Sequence, residues 1–386
     1  MKSYMAAVIG AGPAGTTAAR LLAEAGISVI LLEKAQMPRV KPCGGALTHR
    51  ALGLLPAGYE TYLKSHPADW TFQGRHGQAV TVSRLTPYCH VVERQFFDLF
   101  LAEAAERAGA DVHDQEEVHQ ISIGPQGATL DTTHDQYSAR YVVAADGAHG
   151  VAARAMRLPR PLHGAAIEAE IPVDSVLADR YHDRVEIHVG SYPWGYAWVI
   201  PRQDVLNIGV GSFRPHSFPL KRRFFEFVEQ IAGPTDVRPL AHPLPYRLRF
   251  VDPVAGPVLF AGDAAGYMDS FSAEGIYSAL KSGELAAQAI VRAAQSGQSV
   301  SQYSTALYDE FWPSLKSAVK MGLLFYPLAG YWSDVFTQSQ DLLSDYLEVA
   351  MGTLPYKDLR RHTELLLLKN PRLLSAHRKH RPTPDR

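Results

Sequence analysis

The chain has 386 residues, 46% hydrophobic and 20% charged, ordinary for a globular protein of one interlaced unit or two domains with a real core. Its 38 Lys and Arg against 39 Asp and Glu leave a formal charge of -1, so no overall basic field draws in nucleic acid. Only Cys43 and Cys89 occur, outside any CxxC-type spacing, which excludes a disulfide framework and a cysteine metal site and favours a reducing, cytoplasmic setting.

The predicted elements begin with an apolar strand, Ala6 to Ile9, that ends at Gly10. The apolar stretch around it holds three glycines and a proline and lacks the basic start of a signal peptide. Pro13 opens a helical pattern (Ala18, Ala19, Leu21, Leu22, Ala25) that stops at Gly26. Ser28 to Leu32 is the next strand and Glu33 ends it. Both strands are apolar on both faces, as a parallel sheet buried between layers demands.

Residues 37–55 read as loop, with Pro38, Pro42, Gly44 and Gly45. Arg94 to Ala108 has the spacing of an amphipathic helix, and residues 118–137 alternate like an antiparallel meander. Tyr141 to Ala145 is a buried strand before Asp146-Gly147. Four longer strands, Ala165–Val173, Val185–Val189, Tyr196–Pro201 and Val205–Val210, predict a second sheet. Val258 to Ala261 returns to the first sheet, followed by Gly262-Asp263 and a helix from Glu274 to Ala294. The remainder reads as helices with a basic, proline-bearing end, and no apolar run approaches the roughly 20 residues that span a bilayer.

The expected fold is therefore α/β: a Rossmann-type dinucleotide-binding domain interrupted by a β-sheet substrate domain, with C-terminal helices. The dinucleotide domain is expected in three parts, residues 1–75, 94–164 and 251–296. Strands at 76–93 and the β-rich segment 165–250 make the substrate domain, and 297–386 the helical region.

Gly10-x-Gly12-x-x-Gly15 between strand and helix, with Glu33 closing the next strand, carries the first chemistry. The first glycine permits the tight turn, the second lets backbone approach a pyrophosphate, and the third lets helix and strand touch. Pro13 and Ala14 open a helix whose N-terminal N–H groups suit phosphate, and Glu33 and Lys34 stand where a ribose would lie. This grip does not by itself separate FAD from NAD.

Gly262-Asp263 resembles the second flavin motif of the glutathione-reductase and hydroxybenzoate-hydroxylase class, whose Asp binds the ribitol. Asp146-Gly147 resembles the DG motif of the hydroxylase branch, and Arg94 the arginine that branch directs at the flavin. Together these resemblances imply FAD. Lys41-Pro42-Cys43-Gly44-Gly45 resembles the KxCGG segment of the geranylgeranyl reductase family, which saturates isoprenoid double bonds. Pro193-x-x-Tyr196-x-Trp198-x-Ile200-Pro201-Arg202 resembles that family's substrate-lining PxxYxWxFPK motif, with Ile200 for Phe and Arg202 for Lys. Ala273-Glu274-Gly275-Ile276 resembles its GEGI segment. Flavin-dependent halogenases carry a block similar to Tyr196–Pro201, so an FAD monooxygenase or halogenase acting on an aromatic or apolar metabolite stays open as the alternative.

The resemblance implies hydride transfer from reduced FAD to a prenyl-chain double bond. Cys43, Tyr196 and Trp198 are then the catalytic candidates, and Cys43 acts as proton donor or as a shape and access element. Cys43, Gly44, Gly45, Gly275 and Ile276 join the flavin contacts, while Pro193, Tyr196, Trp198, Ile200 and Pro201 line the substrate site. The alternation of Tyr192, Trp194, Tyr196 and Trp198 predicts one aromatic face. His90, His163 and His188 are scattered and carry no motif. A second GxGxxG is missing, so the reductant is either transiently docked NAD(P)H or a ferredoxin-like donor. An apolar substrate also implies peripheral membrane contact, for which residues 321–332, Leu365–Leu368 and the basic residues from Lys369 to Arg381 are the candidates.

Overall fold

The computed structural model describes residues 1–369, without the side chains of Ser217, Arg360 and 365–369. The first sheet is built on parallel strands in the order Val258–Phe260, Gln136–Ala144, Lys2–Ile9, Val29–Leu32 and Asp111–His113. Ala6, Ala7, Val8 and Ile30 are sealed from solvent, so both faces of the central strands are covered, as their unbroken apolar runs require. Helices Pro13–Glu24, Arg94–Arg107 and Ile276–Ser296 pack together beside this sheet. The meander Val118–Gly124, Gly127–Thr132 adds to Gln136–Ala144, and its Ile121 and Leu130 join the same core.

The second sheet has seven strands in the order Leu240–Tyr246, Leu162–Pro172, Val205–Ser212, Gly195–Arg202, Arg184–Val189, Asp69–Gln73 and Ala79–Ser83. Its side chains divide by parity. Ala169, Ile171, Ala197, Val199, Leu206 and Ile208 face helix Leu220–Ala232 through Phe224, Phe227 and Val228. On the other face, Trp70, Phe72, Val185, Trp198 and Ile200 meet Phe325, Tyr326, Trp332, Phe336 and Tyr346 of the C-terminal helices. A three-stranded sheet joins Ala46–Leu47, His90–Val92 and Leu63–Ser65, its strands interleaved in sequence with Asp69–Gln73 and Ala79–Ser83 of the second sheet.

Several expectations change. Asp69–Gln73, placed in the first dinucleotide segment, is a substrate-sheet strand, paired in parallel with Arg184–Val189. His90–Val92, placed with the substrate strands, pairs instead with Ala46–Leu47 and Leu63–Ser65. The substrate strand expected from Ala165 begins at Leu162. All three errors concern partners far apart in sequence, which local alternation does not encode. The segment proposed for membrane contact is largely core: Phe325, Tyr326, Ala329, Tyr331 and Trp332 are buried, while Leu323, Leu324 and Pro327 stand exposed. The side chains of Leu365–Leu368 and the basic tail beyond Lys369 lie outside the described residues. No helix among the described residues is long and apolar enough to cross a membrane, and no His, Cys, Asp and Glu cluster among them could hold a metal.

Candidate active site

One cavity of about 820 Å³ runs between the two large sheets. Its polar end is built by the glycine-rich turn. Gly10 takes φ +98°, and a Cβ there would lie 2.4 Å from the Ala145 carbonyl oxygen. A Cβ on Gly15 would meet the Gly10 oxygen at 1.9 Å, so this glycine serves contact between helix and strand and does not line the cavity. At Gly12 a Cβ would find only the Arg39 guanidinium, 3.8 Å away. Gly12 also N-caps helix Pro13–Glu24 without a side-chain cap, leaving first-turn N–H groups unclaimed by side chains.

Glu33 is buried beside this turn and accepts from the N–H of Ala11 (2.8 Å) and of Ala35 (3.0 Å), with Arg39 Nε at 3.3 Å. Pro13, Ala14 and Lys34 complete this end. Arg94, at the start of its helix, grips Asp98 one turn on through bonds of 2.7 and 2.8 Å, and both are buried. Burial pushes the Arg94 guanidinium down, but Asp98 and the neighbouring Cys43 sulfur outweigh it and raise it.

Asp146 accepts from the Ala152 N–H at 2.9 Å through one oxygen, while the other is buried without a partner. The adjacent Gly147 has φ +77° and open space where a Cβ would stand. Asp263, after Gly262, faces His242 Nε2 at 3.3 Å, and Lys41 Nζ lies 3.1 Å from the same imidazole. Burial pushes the Asp263 carboxyl up, but His242, Lys41 and Arg94 outweigh it and hold it below the usual range. Gly275 and Ile276 close the wall at the start of helix Ile276–Ser296. Open glycines beside an uncapped helix start, an orphaned buried carboxylate oxygen and an ionised aspartate downstream are donor and acceptor chemistry that fits a flavin dinucleotide.

Residues 3–202 match the family described as FAD binding domain. The chain belongs to this FAD-binding family. It is an FAD-dependent oxidoreductase, and the relatives bear out the resemblance to geranylgeranyl reductases. This flavoprotein is 32% identical over 318 residues to the chloroplastic geranylgeranyl diphosphate reductase of Arabidopsis thaliana, covering 76% of this chain and 66% of that one. It is 25% identical over 389 residues to the digeranylgeranylglycerophospholipid reductase of Methanococcus vannielii, covering 95% and 97%. In fold it resembles a geranylgeranyl bacteriochlorophyll reductase-like protein from Thermoplasma acidophilum, with TM-score 0.78 and 23% identity over 95% of this chain and all of that one. The flavin-dependent brominase Bmp2 shares the fold with TM-score 0.74 and 19% identity over 95% and 100%.

The other end of the flavoprotein's cavity is apolar. Tyr196, Trp198 and Ile200 project into it from Gly195–Arg202, while Ala197 and Val199 take the opposite face. Trp198 lies against Gly209, where a Cβ would come within 2.1 Å of the indole, and its Nε1 donates to Asn207 at 2.7 Å. The Tyr196 hydroxyl donates to the Ser272 carbonyl at 2.8 Å, and burial raises it. Pro193 and Pro201 do not line the cavity: Pro201 has the parity of the far face, and both offer carbonyl oxygens to serines, Ser212 and Ser65. Tyr192 also departs from the aromatic face and packs on Phe218 and Phe227 across the sheet. Positive φ at Gly190 and Trp194 breaks the strand there, which ends the alternation. His90 bonds His66, His163 stacks on His149 and His188 bonds Glu186, and none of the three lines this cavity.

The loop bearing Cys43 is clamped to the substrate sheet. Glu168 accepts the Cys43 N–H at 2.6 Å, and Arg202 donates to the Cys43 carbonyl and to Glu170. Cys43, Gly44 and Gly45 all line the cavity, but Gly45 answers mainly to its φ of +76° and to the Val92 carbonyl, 2.1 Å from where a Cβ would be. The other cysteine, Cys89, is fully buried, and burial pushes its thiol up to about 12. Sequence reasoning missed Glu168, His242, Trp70, Phe213 and Met268, and it missed Tyr346, Ala350 and Met351 from the C-terminal helices, all of which line the cavity.

Proposed function

We propose that this flavoprotein reduces carbon–carbon double bonds of an isoprenoid, geranylgeranyl-type chain. One observation carries the reading: the cavity that begins at the glycine-rich turn continues, without a wall, into an apolar end framed by Trp70, Trp198, Phe213, Met268 and Met351. Such an end takes a flexible hydrocarbon and excludes water from it. Bound FAD supplies the hydride. The residues around it hold the chain, with Trp198 and Tyr196 as an aromatic face toward the reacting segment and Cys43 shaping access from the clamped loop. The relatives named for geranylgeranyl substrates support the same class of substrate. NAD(P)H or a ferredoxin-like protein is the reductant in this reading.

The likeness to the brominase favours a second reading, an FAD-dependent monooxygenase or halogenase. Anaerobic reduction of the flavin followed by geranylgeranyl diphosphate separates them. The expected result is flavin reoxidation with two mass units gained per saturated bond. A flavin that stays reduced with prenyl compounds, yet forms a hydroperoxide in air, moves the assignment to the second reading. In the same assay Cys43→Ala is expected to retain FAD and lose about ten- to a hundredfold in turnover, up to the scale of a misplaced near-attack geometry. Wild-type turnover in that variant would remove Cys43 from the site.

A further inference from the structure

We propose that Glu274 is the general acid of this reduction, giving its proton from Oε2 to one carbon of the double bond; the proposal rests on the isoprenoid-reductase reading above. Glu274 lines the cavity in company with Tyr196 and Trp198, and its side chain is only 7% exposed. Oε1 is fixed by the Tyr277 N–H at the helix start. Oε2 is buried and makes no hydrogen bond. It forms a long ion pair of 3.8 Å with Arg50 Nη2, whose guanidinium is laid over the Tyr277 ring. The carboxyl is held in place through Oε1, and Oε2, paired at long range with Arg50 alone, keeps a hydrogen-bonding position that a substrate can take.

The backbone is arranged around this carboxyl. Ala273, just before it, has φ +59°, a conformation that costs a non-glycine residue free energy and concentrates at functional sites. Two main-chain bonds, Ala273 N–H to the Asp269 carbonyl and Asp269 N–H to the Glu274 carbonyl, hold that turn. The competing acids are engaged elsewhere. Tyr196 donates its hydroxyl hydrogen bond to the Ser272 carbonyl, Glu168 is committed to the Cys43 N–H, and Asp263 faces Lys41 and His242. Burial lifts the Glu274 carboxyl above the usual range. Arg50 and the N–H groups of Tyr277 and Ser278 oppose the lift, and Asp269 adds to it. That direction favours the protonated acid.

The step balances. The alkene π pair takes the proton from Oε2 and forms one C–H bond, leaving a carbocation at the neighbouring carbon and a carboxylate on Glu274. The hydride supplied by reduced FAD fills that cation, so the alkene gains two electrons and two hydrogens while the flavin is oxidised. A proton from solvent restores Glu274, and the flavin is reduced again by a hydride from a nicotinamide or by two single electrons from a ferredoxin-class donor with a solvent proton.

Two measurements on the holoenzyme test this. Infrared difference spectra of wild type against Glu274→Gln at neutral pH should show a protonated carboxyl C=O band that shifts in D2O and is lost in the variant. With geranylgeranyl diphosphate and prereduced flavin, Glu274→Gln should bind FAD normally and form saturated product about a hundredfold or more slowly, the usual span of general acid catalysis. Glu274→Asp should recover part of the rate, and wild-type rates should fall as pH rises through the carboxyl's pKa. Absence of the band, or a Gln variant within twofold of wild type, overturns the proposal and leaves the reductase reading standing. A wild type that saturates no prenyl compound removes that reading and this step with it.

Discussion

Gly12→Val is expected to give a folded protein that has lost its flavin, whereas Gly15→Val is expected to fail before flavin becomes the question. The two glycines belong to one motif but answer to different neighbours. A Cβ on Gly15 would stand 1.9 Å from the Gly10 carbonyl oxygen and 3.1 Å from Val8, inside the sheet–helix contact. Neither backbone can move without separating the helix from the strand, so overpacking costs of about 1–3 kcal/mol or more follow. A Cβ on Gly12 meets no backbone at all; its only neighbour is the end of a flexible arginine. What it fills is the space where the pyrophosphate would approach the helix N-terminus. Hydrogen bonds to a charged phosphate are worth about 1.5–3 kcal/mol each, so losing even one lowers affinity by about tenfold or more. Flavin absorbance per protein, set beside a denaturation midpoint, reads both effects. Stoichiometric FAD in Gly12→Val would show that this turn is not where the dinucleotide is gripped.

That contrast also marks what the sequence makes legible. Gly10, Gly12, Gly15 and Glu33 sit within a single strand–helix–strand unit, so spacing alone states their roles. Gly262-Asp263 and Asp146-Gly147 are equally local, each a strand end followed by a turn. The substrate end is not local. Asp69–Gln73 joins its sheet by a parallel pairing with Arg184–Val189, and nothing in five residues of sequence names so distant a partner. Tyr346 and Met351 reach the cavity because the C-terminal helices fold back over the aromatic face, a tertiary event without a motif. Glu168 was within reach. Along Leu162–Pro172 it shares parity with Gly164 and Ala166, and a carboxylate on an apolar-facing register needs a partner to be buried there. The alternation of Tyr192 with Trp198 misled for the opposite reason, since period-two reading assumes a strand and the turn at Gly190 to Trp194 is not one.

The loop that Glu168 holds gives the second large effect: Arg202→Ala is expected to slow turnover by about ten- to a hundredfold while FAD remains bound. Arg202 does not line the cavity. Its two Nη groups join Glu170 to the Cys43 carbonyl, and Glu168 takes the Cys43 N–H, so the loop's backbone is held from both sides. Without the guanidinium one side of that clamp opens, and a shift of about 1 Å in a positioned group can cost two orders of magnitude. Arg202→Lys keeps the charge but has no fork to bridge two acceptors, so it should fall between wild type and alanine. A stability signature accompanies the loss. Burial raises the Glu168 carboxyl and Arg202 opposes that rise. A carboxyl whose folded pKa lies above its unfolded value binds protons more tightly in the folded state, so stability is lost as pH rises from the unfolded pKa to the folded one. Removing Arg202 widens that window upward. Urea midpoints should therefore drop more between acidic and neutral pH in Arg202→Ala than in wild type, and Glu168→Gln should abolish the difference. Equal pH dependence in the two proteins would mean that Arg202 does not govern Glu168, and unchanged turnover would mean that the loop holds its place without the clamp.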